Sequence, residues 1–202
     1  MPTTIKGVHC PSLRILKGVL NEWIATNLRI VREWRGDVPW WYNERASLSV
    51  LAGAVWRKGG LVFEEFVADK RSGERPRPKY SGRNDLYLKV GEYQFIAEAK
   101  QCWSGAVRVN EKTAGHIQQK LNEACADIRR CPRNGQRKLG VLFAAPYIAS
   151  SEKNRVDQHI GKWVAFIKTV KCSCSAWVFP KESRHLGAGN ICPGVAVLIK
   201  EV

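Results

Sequence analysis

Acidic residues are scarce in this chain: 18 Asp and Glu stand against 33 Lys and Arg in 202 residues, a formal net charge of +15. Such a charge repels itself in the compact state, so a polyanionic partner is the natural complement. Nucleic acid fits best, because phosphates repeat along a strand and reward many cations together. No run approaches the roughly 18 apolar residues that a spanning helix needs, which sets a membrane role aside. The opening Met1-Pro2-Thr3-Thr4 lacks the basic-then-apolar layout of a secretory signal, so the expected location is cytoplasmic. Internal repeats and an obvious linker are also missing, and this length is that of one well-buried domain over 1–202. A hydrophobic fraction of 45% and eight Trp exclude a disordered tail.

Cysteine pairs at metal-ligand spacing are missing as well. There are seven cysteines, an odd and scattered set without a Cys-x-x-Cys. Cys172 and Cys174, with His185 and Cys192 downstream, offer ligand types that zinc accepts, but at irregular spacing. Reduced, mostly buried thiols are the stronger expectation, and a disulfide framework does not suit a domain of this size.

Apolar periodicity predicts helices over 12–34 (Leu13, Leu16, Leu20, Trp23, Ile24, Ile30, Val31, Trp34, with Gly36 as a stop) and over 40–58 (Leu48, Leu51, Ala52, Val55). Glu44 lies four residues before Leu48, on the same apolar stripe rather than on the opposite face. Strand-like segments follow at 61–68, 85–90 and 93–100, the last two joined by Gly91-Glu92 as a hairpin connection. A helix over 113–130, a wholly apolar strand over 139–145, a helix over 151–170 and strands at 176–179 and 195–199 complete the expectation: an α/β domain with a central mixed sheet flanked by helices.

In the segment 93–100, Phe95, Ala97 and Ala99 fall on one face and Glu98 and Lys100 on the other. A hairpin turning at Gly91-Glu92 pairs positions whose numbers sum to about 183, which brings Asp85 against Glu98 with Lys100 two residues on. Two facing carboxylates are unfavourable without a cation between them. Phosphodiester hydrolysis asks for such a set: a hard cation to polarise the phosphate, and a lysine to orient water or offset developing charge.

Asn84-Asp85, twelve intervening residues and Glu98-Ala99-Lys100 resemble the PD-(D/E)XK signature of restriction-endonuclease-like nucleases. The order of a helix, three meandering strands, a helix and a strand over about 40–145 is similar to the core of that family. The helix over 12–35 is then an N-terminal amphipathic extension, and 151–200 a C-terminal helix with strands. The resemblance implies a metal-dependent endonuclease, DNA foremost, with Asp85, Glu98 and Lys100 at the catalytic centre and Mg²⁺ or Mn²⁺ held by Asp85 and Glu98. In several branches, Holliday junction resolvases among them, a first-helix glutamate joins the metal site, and Glu44 matches it; Glu64 and Glu65 are rivals for that role. Gln118 matches a glutamine that often faces the site from the helix after the motif. Asn84 departs from the family's usual proline. The alternative is a nucleic-acid-binding module of the same fold that does not cut.

The segment 69–83 reads as a charged loop, with Lys70, Arg71, Arg75, Arg77, Lys79 and Arg83 as expected phosphate contacts beside the site. Arg129, Arg130, Arg133, Arg137 and Lys138 form a second basic cluster. Trp40, Trp41 and Tyr42 precede Glu44 and could stack on bases, though core positions are commoner for such residues. His116 and His159 read as surface residues. A homodimer is compatible with these features.

Overall fold

The computed structural model describes residues 3–34, 37–71, 79–132, 135–184 and 189–202, without the side chains of 68–71 and 79–81. The chain opens on β1 (Ile5–His9) and, after a short 3₁₀ turn, enters α1 (Lys17–Trp34). Next come α2 (Pro39–Tyr42), α3 (Glu44–Arg57), β2 (Leu61–Arg71), β3 (Lys79–Val90) and β4 (Tyr93–Gly105). The remainder is α4 (Glu111–Arg129), β5 (Arg137–Ala149), a 3₁₀ segment running into α5 (Val156–Ile167), β6 (Cys174–Phe179), β7 (Asn190–Ile191) and β8 (Val195–Glu201). The sheet runs in the order β1-β6-β8-β5-β4-β3-β2, with β7 paired to β5 off that path. Among the described strands, only β4 and β5 pair in parallel, and α4 is their crossover.

Alternation along the strands sorts the chain into three layers. Phe95, Ala97 and Ala99 of β4 and Val141 and Phe143 of β5 meet α1 and α3 through Leu20, Trp23, Leu51 and Val55. On the other face Cys102, Leu142 and Ala144 meet α4 and α5 through Ile117, Leu121, Ile160 and Trp163. An α/β protein with a mixed sheet therefore results, as expected, but with eight strands where the sequence led us to expect six. The N-terminal helix is part of the core, not an appendage. Its apolar stripe is covered, with Leu20 and Trp23 almost fully buried.

Boundaries moved where local chemistry intervened. The helix expected over 40–58 is broken at Asn43, whose extended backbone (φ −152°) ends α2 and whose Oδ1 accepts from the Ala46 N–H (3.0 Å) to start α3. The segment 69–83 is not all loop: β2 continues to Arg71 and β3 starts at Lys79, with Arg71 opposite Lys79. Lys70, Arg71, Lys79 and Arg83 thus lie on a two-stranded ribbon, while Arg75 and Arg77 fall outside the described residues, as do Gly36, Arg133 and His185. The missed strands β1 and β7 are short, and among the described residues each pairs with one neighbour, β6 and β5 respectively. Among the described residues, no helix is long and apolar enough to cross a membrane.

Gly140 deserves its glycine. It sits beside Glu98 in the parallel ladder, and a Cβ there would lie 2.5 Å from the Cys125 sulfur and 2.8 Å from the Cys125 backbone nitrogen of α4. Gly140→Ala must push α4 off the sheet, and a loss of about 1–3 kcal/mol is expected. Urea unfolding measures it; an unchanged midpoint would show that α4 is not seated this closely.

Candidate active site

The hairpin Gly91-Glu92 has Gly91 at φ +57° and Glu92 at negative φ, the pattern of a II′ turn. It sets the register by which Val90 pairs with Tyr93 and Leu86 with Ala97, whose numbers sum to 183 as anticipated. The ladder ends there, one pair before Asp85 would meet Glu98. Beyond that point the exposed edge of β4 is covered by side chains. Asp85 Oδ2 accepts from the Ala99 N–H at 2.7 Å. The Glu44 carboxylate, in the first turn of α3, accepts from the Gln101 N–H. Residues 99 and 101 are two positions apart on one strand, so the two amides are spaced roughly 7 Å along one edge.

The cause of this divergence lies in β2 and β3. Every position from Leu61 to Arg71 pairs with β3 except Glu65, which would face Asp85. Glu65 is the one described non-glycine residue at positive φ (52°). The pleat changes hand across it: Phe63 and Phe66, three residues apart, both pack on Tyr87 (ring centroids 6.0 and 6.2 Å). Strand β3 does the same. Leu86 faces the α3 side, yet Asn84, 1% exposed, accepts from the Cys131 thiol at 2.8 Å just past the end of α4. Asp85 sits at the switch between faces, which leaves its carboxylate aimed along the sheet at β4.

On the α4 face Lys100 Nζ lies 3.0 Å from Asp127 Oδ2, and Asp127 also meets Arg130 (3.4 Å). Glu98 is 4% exposed, on the same face of β4 by alternation. Gln101 stitches the opposite face: Ser47 Oγ donates to its Oε1 (2.7 Å) and its Nε2 donates to the Trp40 carbonyl (3.3 Å). Burial, then the Asp85 charge, push the Glu44 carboxyl above its ordinary value, against the pull of Lys100, the Gln101 N–H and Arg45. For Lys100, burial acts to lower the ammonium, but the hydrogen bond and charge of Asp127, then Glu44 and Asp85, carry it above its ordinary value. Glu44, Asp85 and Lys100 therefore act on one another electrostatically where β3 and β4 part.

Glu65 ties the surroundings of this site together. Its Oε1 lies 2.7 Å from Arg45 Nη2 and its Oε2 3.2 Å from Arg83 Nη1. Left-handed backbone at a glutamate costs about 1–2 kcal/mol. Exposed ion pairs return roughly 0–1 kcal/mol each, so the two together at most offset that cost and leave no net gain in stability.

The expected set of three metal carboxylates is only partly assembled. Among the described residues, no group of three or more His, Cys, Asp or Glu side chains stands where it could hold a metal ion. Asp85 and Glu44 are turned to the β4 edge, whereas Glu98 belongs to the α4 face. Two carboxylates still suit Mg²⁺, which takes one or two from protein and completes its shell with water.

Other expected residues are placed differently. Gln118 donates its amide to Asn122 on its own helix (3.1 Å), and the α4 residue recorded on Lys100 is Asp127. Glu64 accepts from Ser49 (3.3 Å) and Glu65 serves the two arginines. In the second basic cluster, Arg137 is held bidentately by Glu201 (2.5 and 2.7 Å), and Lys138 is buried against the Cys131 and Arg129 carbonyls at the end of α4. Trp40 is core, donating to the Cys192 carbonyl (3.0 Å), while Trp41 and Tyr42 are exposed. His116 is exposed as expected, but His159 is buried and meets Glu152 (3.0 Å). The cysteines are free thiols, four buried and three half-buried. Burial pushes Cys102 up to about 12 and Cys172 to about 11, and Cys174 meets Cys10; of the four residues weighed for zinc, His185 lies outside the described residues. An apolar groove of about 610 Å³ between α1 and α3, lined by Ile30, Trp34, Tyr42 and Val50, touches none of Glu44, Asp85, Glu98 or Lys100.

Gln101, Asp127 and Arg45 escaped the sequence reading, which named Glu65 only as a rival metal-site acid; two of the three left a trace in it. Gln101 is the polar member of the Phe95-Ala97-Ala99 face, and Asp127 flanks the Ala124-Ile128 stripe. No protein-family model matches this chain, and no curated protein or solved structure matches it either.

Proposed function

We propose that this protein is a metal-dependent endonuclease of the restriction-endonuclease-like, PD-(D/E)XK type, hydrolysing phosphodiester bonds of nucleic acid, DNA foremost. The observation that carries the reading is the convergence of Glu44 from α3, Asp85 from β3 and Lys100 from β4 on the point where β3 leaves β4. The order α3, β2-β3-β4, α4, β5, with β5 parallel to β4, supports the same core. So does the net charge of +15, and the ribbon of β2 and β3 that continues past Asp85.

Asp85 and Glu44 are the residues that would hold Mg²⁺ or Mn²⁺, two carboxylates being enough for such an ion, while Glu98 stands on the neighbouring α4 face. The ion supplies polarisation of the phosphate and a more acidic bound water. The edge amides of Ala99 and Gln101 position the two acids at the β4 edge. Lys100 offsets charge that develops on the phosphate oxygens, in a half-buried position where such an interaction is stronger than in water. Asp127 holds its ammonium in place.

The engagement of Lys100 by Asp127 and the incomplete carboxylate set favour one second reading, a binder that keeps the fold and does not cut. A substrate panel separates the two: linear duplex, supercoiled plasmid, four-way junction, single-stranded DNA and RNA, each with Mg²⁺, Mn²⁺ or EDTA. Cutting of any member with metal and none with EDTA is expected. Tight binding with no cutting anywhere would leave the binder.

A further inference from the structure

We propose that Arg45 and Arg83, gathered by Glu65, form a phosphate clamp that seats one backbone phosphate of a nucleic-acid strand lying across the Glu44–Asp85 pair. This rests on the nuclease reading and adds to it the residues that position the strand.

Three observations converge. First, Glu65 holds a left-handed backbone (φ 52°) directly opposite Asp85, a cost that its two ion pairs at most offset; strain of this kind clusters at functional sites. Second, that backbone delivers one carboxylate between two elements. One oxygen takes Arg45, which follows Glu44 on α3, and the other takes Arg83, two residues before Asp85 on β3. Third, each guanidinium spends one nitrogen on Glu65 and remains largely in water, with side chains 75% and 69% exposed. Two cations sharing one anion leave a net positive charge with planar N–H forks outward, the geometry that matches phosphate oxygens.

A clamp of this kind contacts backbone and not base edges, so it places a strand without reading its sequence. It also answers an electrostatic problem. Glu44 and Asp85 repel an approaching phosphate, and a fixed positive seat beside them offsets that repulsion before any metal arrives. Held by one carboxylate, the two arginines lose less freedom on binding than two independent surface side chains.

The test is binding of a labelled duplex and a labelled single strand in EDTA over a series of KCl concentrations, followed by fluorescence anisotropy. The parent is compared with Arg45→Ala, Arg83→Ala, the double variant and Glu65→Gln, with Arg29→Ala on α1 as a remote charge control. Each clamp arginine is expected to weaken binding about five-fold, equally for unrelated sequences, and the double variant to lower the salt slope by about 1. Arg29→Ala should leave that slope unchanged. Glu65→Gln gives the sharpest contrast: removal of a negative charge by itself tightens binding, whereas loss of the clamp weakens it. Tighter binding by Glu65→Gln, or double-variant behaviour equal to the parent, overturns the clamp alone. A folded parent that binds neither strand overturns the nuclease reading and the clamp with it.

Discussion

Asp85→Asn is expected to lower metal-dependent cutting by at least about 10³-fold, the loss that follows when a group stabilising transition-state charge is removed from a preorganised site. The substitution is chosen because the amide oxygen can still accept from the Ala99 N–H, so the edge of β4 stays covered. The melting temperature should therefore remain within about 2 °C of the parent. Nucleic-acid affinity in EDTA should hold or rise, since one negative charge is taken from the path of the phosphates. Single-turnover cleavage with excess enzyme separates the chemical defect from binding. A variant that cuts within a few-fold of the parent would remove Asp85 from the site.

Glu44→Gln is expected to move activity and stability in opposite directions. Burial and the Asp85 charge raise the Glu44 carboxyl, so the folded state holds that proton more tightly than the unfolded chain. The associated stability is complete below the unfolded value near pH 4 and is lost as pH rises through the higher folded value. At neutral pH the ionised, partly desolvated Glu44 is then a liability in the metal-free protein. Glutamine removes the charge and can still accept from the Gln101 N–H. A melting temperature about 2 °C above the parent at pH 7 is expected, shrinking to nothing below about pH 4. Cutting should fall about 10²-fold or more. A variant less stable than the parent at pH 7, or a difference independent of pH, would mean that Glu44 is a structural residue.

The sheet and most of the site follow from short-range patterns. Alternation along Tyr93–Gly105 separates Phe95, Ala97 and Ala99 from Glu98 and Lys100, and a two-residue turn at Gly91-Glu92 leaves little freedom in the register of the pair before it. What alternation cannot register is its own interruption. The left-handed Glu65 and the face exchange at Asp85 arise because two strands change hand together, so the pairing numbers stay constant while side chains swap sides. For that reason Asp85 reaches the edge amide of Ala99, and not the Glu98 carboxylate, although the arithmetic placed it opposite Glu98. The break at Asn43 follows a similar logic. Periodicity runs through it, since Glu44 and Leu48 both face inward, but a side-chain cap resets the helix start and puts Glu44 in its first turn. Long-range partners carry the weakest signal. Asp127 meets Lys100 only because Gly140 lets α4 lie against the sheet, and nothing near Lys100 in sequence announces either residue.

The most direct measurement is plasmid cleavage by the parent and by Lys100→Ala side by side, in Mn²⁺ and in EDTA, with nicked and linear products quantified. The expected result is cutting by the parent in Mn²⁺ alone, and a rate at least about 10²-fold lower for Lys100→Ala at unchanged DNA affinity. Equal cutting by parent and variant, or cutting that survives EDTA, would contradict a metal-dependent site built on Glu44, Asp85, Glu98 and Lys100.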